Sequence, residues 1–286
     1  MNNTAFKILI PVDFSENTAI AISKALKLGH WDPVEIHLFH TQKIFISGIS
    51  HRISVSLAGY SHQHLKTDRK NIEKRLKKLK DEIENERPAI IVQYSTAFGE
   101  PVQESIIRKA RHLSADLIII AKHSHHRILP FLNTVVPSKI AAESGKPVLT
   151  FKPGANTSEV KNIVIPIGCE FQGGKIEMVN LLNNETQPNI NIVVFQTDLK
   201  RLNSLKRQIF DIVEVFKHKF SNNISYDIIK GENKVRSLIN YCFYKNADML
   251  IVYPGSETRV GNWRNNHISD FLPVDSKIQI LAVPPL

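Results

Sequence analysis

Histidines at 40, 123, 125 and 126 and an aspartate at 13 are the side chains of this chain best suited to chemistry. His123, Ser124, His125, His126 and Arg127 share one short segment, and His40 closes the apolar run that begins at Val34. Two or three imidazoles with a carboxylate have the composition of a zinc site. On that basis His40, His123 and His125, with Asp13, are the candidate metal ligands, and a metal-assisted hydrolase is one reading of them. No His-Glu-x-x-His helix or His-x-His strand pair fixes a geometry, and short His tracts specify a site weakly, so no metal is expected. A Ser–His nucleophile could be drawn from Ser124 with His123 or His125, but no Gly-x-Ser-x-Gly elbow presents the serine. Adjacency in sequence does not supply the required hydrogen-bond geometry, so no catalytic residue is assigned.

These residues sit in a chain of 286 residues, 42% hydrophobic and 22% charged, close to the globular average. The length suggests two domains. Apolar runs such as Leu117–Ala121 fall far short of the roughly 20 residues that cross a bilayer. The N-terminal stretch lacks the apolar length and cleavage site of a secretory signal, so a cytoplasmic protein with no membrane partner is expected. Cys169 and Cys242 are too few for a disulfide framework and read as small buried hydrophobes. The net charge of +10 lies mostly in the first half, where residues 1–152 carry 22 Lys/Arg against 14 Asp/Glu. Much of it falls between Lys66 and Lys80, where Leu65, Ile72, Leu76, Leu79 and Ile83 recur at helical spacing. That pattern is an amphipathic helix with a solvated basic face. No aromatic interleaving or recognition motif accompanies it, so nucleic-acid binding is not expected.

Laid against itself, the chain repeats once. Ile8-Leu-Ile-Pro-Val12 matches Ile163-Val-Ile-Pro-Ile167, and Glu35–Thr41 matches Asn191–Thr197. From Gly99-Glu100, which falls on Gly231-Glu232, the correspondence runs on without a gap, with Ala115-Asp116 on Ala247-Asp248 and Leu149 on Leu281. The domains are accordingly placed at 1–152 and 160–286. The first repeat carries about two dozen extra residues, assigned to Ile44–Lys66, and such long insertions tend to be functional or mobile. Lying after the second strand, that segment is expected to act as a mobile lid over the first pocket.

Each repeat alternates short apolar runs with helical patterns. The first predicts strands at Phe6–Val12, Val34–His40, Ile90–Ala97, Asp116–Ala121 and Pro147–Phe151. Helices are predicted at Ser15–Gly29, His62–Arg87, Pro101–Leu113 and Phe131–Gly145, with Ser15 as an N-cap. The second predicts strands at Asn162–Ile167, Asn189–Phe195, Ile224–Ile229, Asp248–Tyr253 and Lys277–Val283. Near-continuous apolar strands alternating with helices mean a parallel sheet covered on both faces, a doubly wound α/β domain twice over. Ligands of such sheets bind beyond the carboxyl ends of the strands, where strand order reverses. Asp13, His40, Thr41, Gly99 and the segment from Ala121 to Arg127 occupy those ends. His37 lies three residues before His40 on a period-two strand and points to the other face.

The opening Ile-Pro-Val-Asp-Phe-Ser, the Gly-Glu-Pro before the third helix, the Ala-Asp-Leu-Ile-Ile-Ile strand and the closing Lys-Pro-Val-Leu-Thr-Phe resemble the universal stress protein family. The resemblance implies a five-stranded sheet of order 3-2-1-4-5 in each repeat. It also implies an internal pseudo-dimer joined through the fifth strands, Pro147–Phe151 against Lys277–Val283. Nucleotide-binding members carry an Asp after the first strand and a Gly-x2-Gly-x9-Gly-Ser/Thr loop after the fourth, whose glycines let backbone N–H groups approach the phosphates. Here those loop positions hold Ala121, Ser124, Thr134 and Val135, and in the second repeat Tyr253, Ser256, Asn266 and His267, with Gly168 in place of the aspartate. All the glycines are absent. The expected function is therefore non-catalytic, a stress-response role through ligand sensing or protein interaction, with ordinary ATP binding lost and no cofactor. A second reading keeps ATP, AMP or another small anionic ligand in the first repeat. There Asp13 meets the base or sugar, while Lys122, Ser124 and Arg127 meet the phosphates. Asp13 can equally serve as a strand-end cap beside Ser15. A homodimer of tandem chains is a further assembly compatible with the resemblance.

Overall fold

The computed structural model describes residues 5–27, 33–42, 54–122, 135–155, 160–167, 175–176, 178–179, 187–195, 202–220, 223–231, 233–254, 268–273 and 275–284, with the backbone alone for 54–67, 202–205 and 208. The first repeat runs β1 (Phe6–Pro11), α1 (Glu16–Lys27), β2 (Val34–Gln42), α2 (Ser54–Glu86), β3 (Ile91–Phe98), α3 (Val102–Leu113), β4 (Leu117–Ala121), α4 (Pro137–Ser144) and β5 (Val148–Phe151). The second contributes β6 (Asn162–Ile167), β7 (Asn189–Phe195), α5 (Leu202–Lys219), β8 (Ile224–Ile229), α6 (Lys234–Tyr244), β9 (Met249–Val252) and β10 (Gln279–Ala282).

The strand order is β3-β2-β1-β4-β5 in the first repeat and β8-β7-β6-β9-β10 in the second, so each is doubly wound in the order 3-2-1-4-5. Pairing is parallel throughout except between β5 and β10, where Thr150 lies opposite Ile280 and Val148 opposite Ala282. The central strands are continuous apolar runs because both faces are covered. Ile8, Leu9 and Ile10 of β1, Leu117–Ile119 of β4, Ile163–Ile165 of β6 and Met249–Val252 of β9 are all buried. The chain divides into two compact units, Met1–Ile119 and Ile120–Leu286. That division precedes the end of the first repeat because β5, paired with β10, packs with the second unit.

The repeated Ala-Asp pair explains the register of strands 1 and 4. Asp116 Oδ2 accepts the backbone N–H of Lys7 at 2.8 Å while its own N–H donates to the Lys7 carbonyl. Asp248 does the same for β6, its Oδ2 accepting from both Lys161 and Asn162 at 2.9 Å. In both repeats the residue two positions earlier is left-handed, Ser114 at φ 51 and Asn246 at φ 48, which ends the helix and turns the chain back onto the sheet.

Helix α2 departs from expectation. It starts at Ser54 rather than near His62, so residues 54–66 of the segment expected to be an aperiodic insertion are helical, while 44–53 lie outside the described residues. The strongly helical stretch downstream carries the nucleation cost, and extending a formed helix costs little. Ile72, Leu76 and Ile83 are buried, and the basic face is laced by Arg69–Glu73, Lys78–Glu82 and Lys80–Glu84 ion pairs at i,i+4 spacing. Helix α3 follows Pro101 as its N-cap, and α4 starts only at Pro137 and ends on left-handed Gly145. Buried Cys242 is a small core group, its thiol pushed up to about 12 by burial; Cys169 lies outside the described residues.

His37 faces away from His40, as expected. Its Nε2 lies 2.9 Å from Ser95 Oγ, and its Nδ1 is buried with no partner. Burial, then the charges of Lys109 and His112 on α3, push the imidazole down to about 4. In the unfolded chain it takes up a proton near pH 6.5, before the native state does, so stability falls as pH drops through this window. We expect a loss of up to roughly 3 kcal/mol between pH 6.5 and 4 from this group. His37→Val, the residue found at the matching position Val193, should flatten that part of the profile in urea titrations. The clamps give a second expectation: Asp248→Ala and Asp116→Ala each leave one part-buried backbone donor without its acceptor, the Lys161 amide being exposed to water, and each should lower stability by about 1–2 kcal/mol. Urea midpoints of the two variants check this.

Candidate functional site

A cleft of about 500 Å³ opens in the first unit beyond the carboxyl ends of β1 and β2, against α2. Asp13 and Phe14 line it from the turn after β1, His40, Thr41 and Gln42 from β2, and Asp68, Asn71, Ile72 and Arg75 from α2. The last four recur at 0, 3, 4 and 7, which is one face of a helix. Asp13 and His40, at predicted strand ends, both line the cleft, and the helix expected over His62–Arg87 supplies a wall that the sequence did not assign to it.

Asp13 is a cap before it is anything else. Its Oδ1 accepts from the Ser15 amide at 2.9 Å, the Ser15 hydroxyl at 2.6 Å and the Thr18 hydroxyl at 2.8 Å. Partial burial pushes its pKa up, but the combined hydrogen bonds from Ser15 and Thr18 outweigh that and hold it below the ordinary value. All three bonds fall on Oδ1, so Oδ2 has no donor among the described residues. Ser15 caps α1 as expected, its Oγ accepting from the Asn17 amide at 3.2 Å.

Phe14 is left-handed at φ 58, a strained conformation for a bulky residue. Thr18 Oγ1 holds it there, accepting the Asp13 and Phe14 amides, each at 3.1 Å. The ring meets the His40 imidazole at 4.9 Å between centroids, and the Arg75 guanidinium lies 3.9 Å from its centroid. His40 Nδ1 is 2.7 Å from the Val12 carbonyl, to which it donates, so Nε2 is the nitrogen left over. Thr41 Oγ1 and Gln42 Oε1 are buried with no partner. Unpaired buried polar atoms are costly, and these two belong to residues that line the cleft.

The remaining expected site residues fall elsewhere. His123, Ser124, His125, His126, Arg127 and Thr134 lie outside the described residues. Among those described, no group of three His, Cys, Asp or Glu is placed to hold a metal ion. Ala121 ends β4 and Val135 precedes α4, both with side chains where the glycine pattern needs none. Lys122, assigned to phosphates in the nucleotide reading, is instead nearly buried and ion-paired to Asp270 at 2.7 Å. In the second repeat Tyr253 stands at the first glycine position, and Lys175 packs over its ring at 4.3 Å while donating to the Pro166 carbonyl at 2.5 Å. Lys175 is 3% exposed, so that strand-end crevice is filled by the chain's own side chains.

Several solved structures share this architecture. A universal stress protein from Archaeoglobus fulgidus aligns with a TM-score of 0.71 at 15% identity, covering 98% of this chain and 96% of the other. A Pseudomonas aeruginosa protein of unknown function gives 0.56 at 12% identity, with 99% and 94% covered. The cytoplasmic domain of a prokaryotic cation chloride cotransporter gives 0.53 at 9% identity, with 98% and 96% covered. At these identities the likeness is one of fold. None of the curated proteins matches the chain, and no helix among the described residues is long and apolar enough to cross a membrane. The model of the universal stress protein family matches residues 5–152, just over half the chain, and with the doubly wound 3-2-1-4-5 order, the Asp13 turn and the strand-end cleft in place, this chain belongs to the universal stress protein family.

Proposed function

We propose that the chain is a non-catalytic, cytoplasmic member of the family, two family domains in tandem, acting in the stress response as a sensor. The first unit holds a small ligand in the cleft between β1, β2 and α2, and protein partners read the liganded state. The single observation that carries this is the pair of orphaned polar atoms, Thr41 Oγ1 and Gln42 Oε1, at the lining of an open cleft. A pocket merely given up would be expected to fill, as the crevice of the second repeat is filled by Lys175 and Tyr253.

ATP held through its phosphates does not fit these residues. Side chains at Ala121 and Val135 obstruct a backbone amide cradle, and the cation nearest in sequence, Lys122, is committed to Asp270. What the first cleft retains is the end that meets a base, a sugar or another uncharged or cationic group, with Asp13 Oδ2 open.

Native mass spectrometry of the protein purified without added ligand, followed by thermal shift with ATP and AMP, tests this reading. ATP should stabilise the protein no more than AMP does, and neither should be turned over. Stabilisation by ATP beyond AMP by about 1.4 kcal/mol or more, a tenfold affinity difference, would show that the phosphates are gripped and would overturn the loss of the usual mode.

A further inference from the structure

We propose that the first-unit cleft is a site for a small organic cation, a guanidinium or primary amine whose charged head takes the face of Phe14 now covered by Arg75. This rests on the reading that the cleft holds a ligand, and it names the chemical class of that ligand.

Charge is the first ground. The lining carries two carboxylates, Asp13 and Asp68, against one guanidinium, in a chain whose net charge is +10. A phosphate or carboxylate entering beside Asp13 and Asp68 meets like charge, and a cation meets opposite charge.

Hydrogen-bonding capacity is the second. Gln42 Oε1 can only accept, and it is buried without a donor; Thr41 Oγ1 is likewise unpaired. Asp13 directs all its bonds through Oδ1, which leaves Oδ2 a further acceptor. Acceptors of the lining therefore stand without a donor, and amines and guanidiniums carry several donors and no acceptor.

The third ground is the aromatic face. Cations are drawn to the negative face of an aromatic ring, and a guanidinium already occupies that position on Phe14 at 3.9 Å. The ring is fixed for the purpose by its left-handed backbone, by Thr18 Oγ1 on its amide and by His40 beside it. Strain of this kind persists where the surroundings over-determine it and is concentrated at ligand clamps. Arg75 itself has no carboxylate within ion-pair distance among the described residues and is exposed although it lines the cleft, so its long side chain can swing away. It acts as an internal competitor that holds the site until a free cation displaces it.

Agmatine, which carries a guanidinium and a primary amine, is the probe, with AMP as the anionic comparison, each titrated calorimetrically into the full chain at low salt. Agmatine should bind saturably and more weakly as salt is raised. Arg75→Ala should bind it about 2–5-fold more tightly, because a surface cation–π contact no longer competes. Asp13→Asn should weaken it. Lys70→Ala removes a positive charge from the same helix without touching the cleft and should leave affinity within twofold of the parent. Equal tightening by Lys70→Ala and Arg75→Ala would reduce the effect to net charge and overturn the proposal. Binding of AMP with none of agmatine, in the parent and in Arg75→Ala, would overturn the cation and leave the cleft a ligand site. Binding of neither, to either protein, would overturn both.

Discussion

The carboxylate clamp between strands 1 and 4 is the constraint on which the rest of the architecture depends. A doubly wound sheet has its functional crevice where strand order reverses, and here that is the junction of β1 with β4 and of β6 with β9. Only two residue pairs align each of these junctions, Ile8–Leu117 and Leu9–Ile118 in one, Ile163–Met249 and Val164–Leu250 in the other. So short a ladder leaves register weakly specified, and a slip of one residue would turn every side chain to the other face. Asp116 and Asp248 remove that freedom by binding the backbone at the very start of β1 and β6. The conformational pressure that delivers them is the same in both repeats, a left-handed residue followed by Ala-Asp.

With the frame fixed at the amino ends of the strands, the carboxyl ends are free to diverge, and they have. Residues beyond the ladder make no hydrogen bonds that a neighbouring strand requires, so their identities answer to local packing and ligands alone. The first unit places Asp13 and Phe14 beyond β1, beside His40, Thr41 and Gln42 at the last ladder positions of β2, around an open cleft. The second places Tyr253 and a buried Lys175, whose ammonium is satisfied by the Pro166 carbonyl and an aromatic face. A buried lysine needs such partners, and having them makes the filled crevice a stable end state.

Most of the fold was legible in the sequence because its signals are local and repeated. Short apolar runs such as Leu117–Ile120, alternating with helical patterns, read as central parallel strands, and the self-match of Ile8–Val12 with Ile163–Ile167 points to two copies. The limits of α2 were not legible, since Ser54–Lys66 carries little amphipathic pattern and is helical because the stretch from Thr67 to Glu86 is. The site was legible in part. Asp13 and His40 lie at predicted strand ends, whereas Asp68, Asn71 and Arg75 depend on the rotation of α2 about its axis, which propensity does not specify. Lys122 shows the opposite failure. Its position after β4 pointed to a phosphate, and its partner turned out to be Asp270, 148 residues away, a pairing no local pattern announces.

Phe14 joins stability to site geometry more tightly than any other residue of the cleft. A left-handed phenylalanine is unfavourable in isolation, and a turn needing φ > 0 would ordinarily recruit glycine. The compensation is the Asp13–Ser15–Thr18 network, in which one hydroxyl accepts two amides and donates to the carboxylate that also receives Ser15. Remove the carboxylate and the hydroxyl loses its acceptor; remove the hydroxyl and both amides lose theirs. The helix cap, the turn and the orientation of the aromatic ring therefore stand or fall together. That is why a side chain whose bonds look purely structural can also set the shape of the cleft. In this chain Asp13 does both, its Oδ1 holding the turn and its Oδ2 left to whatever enters.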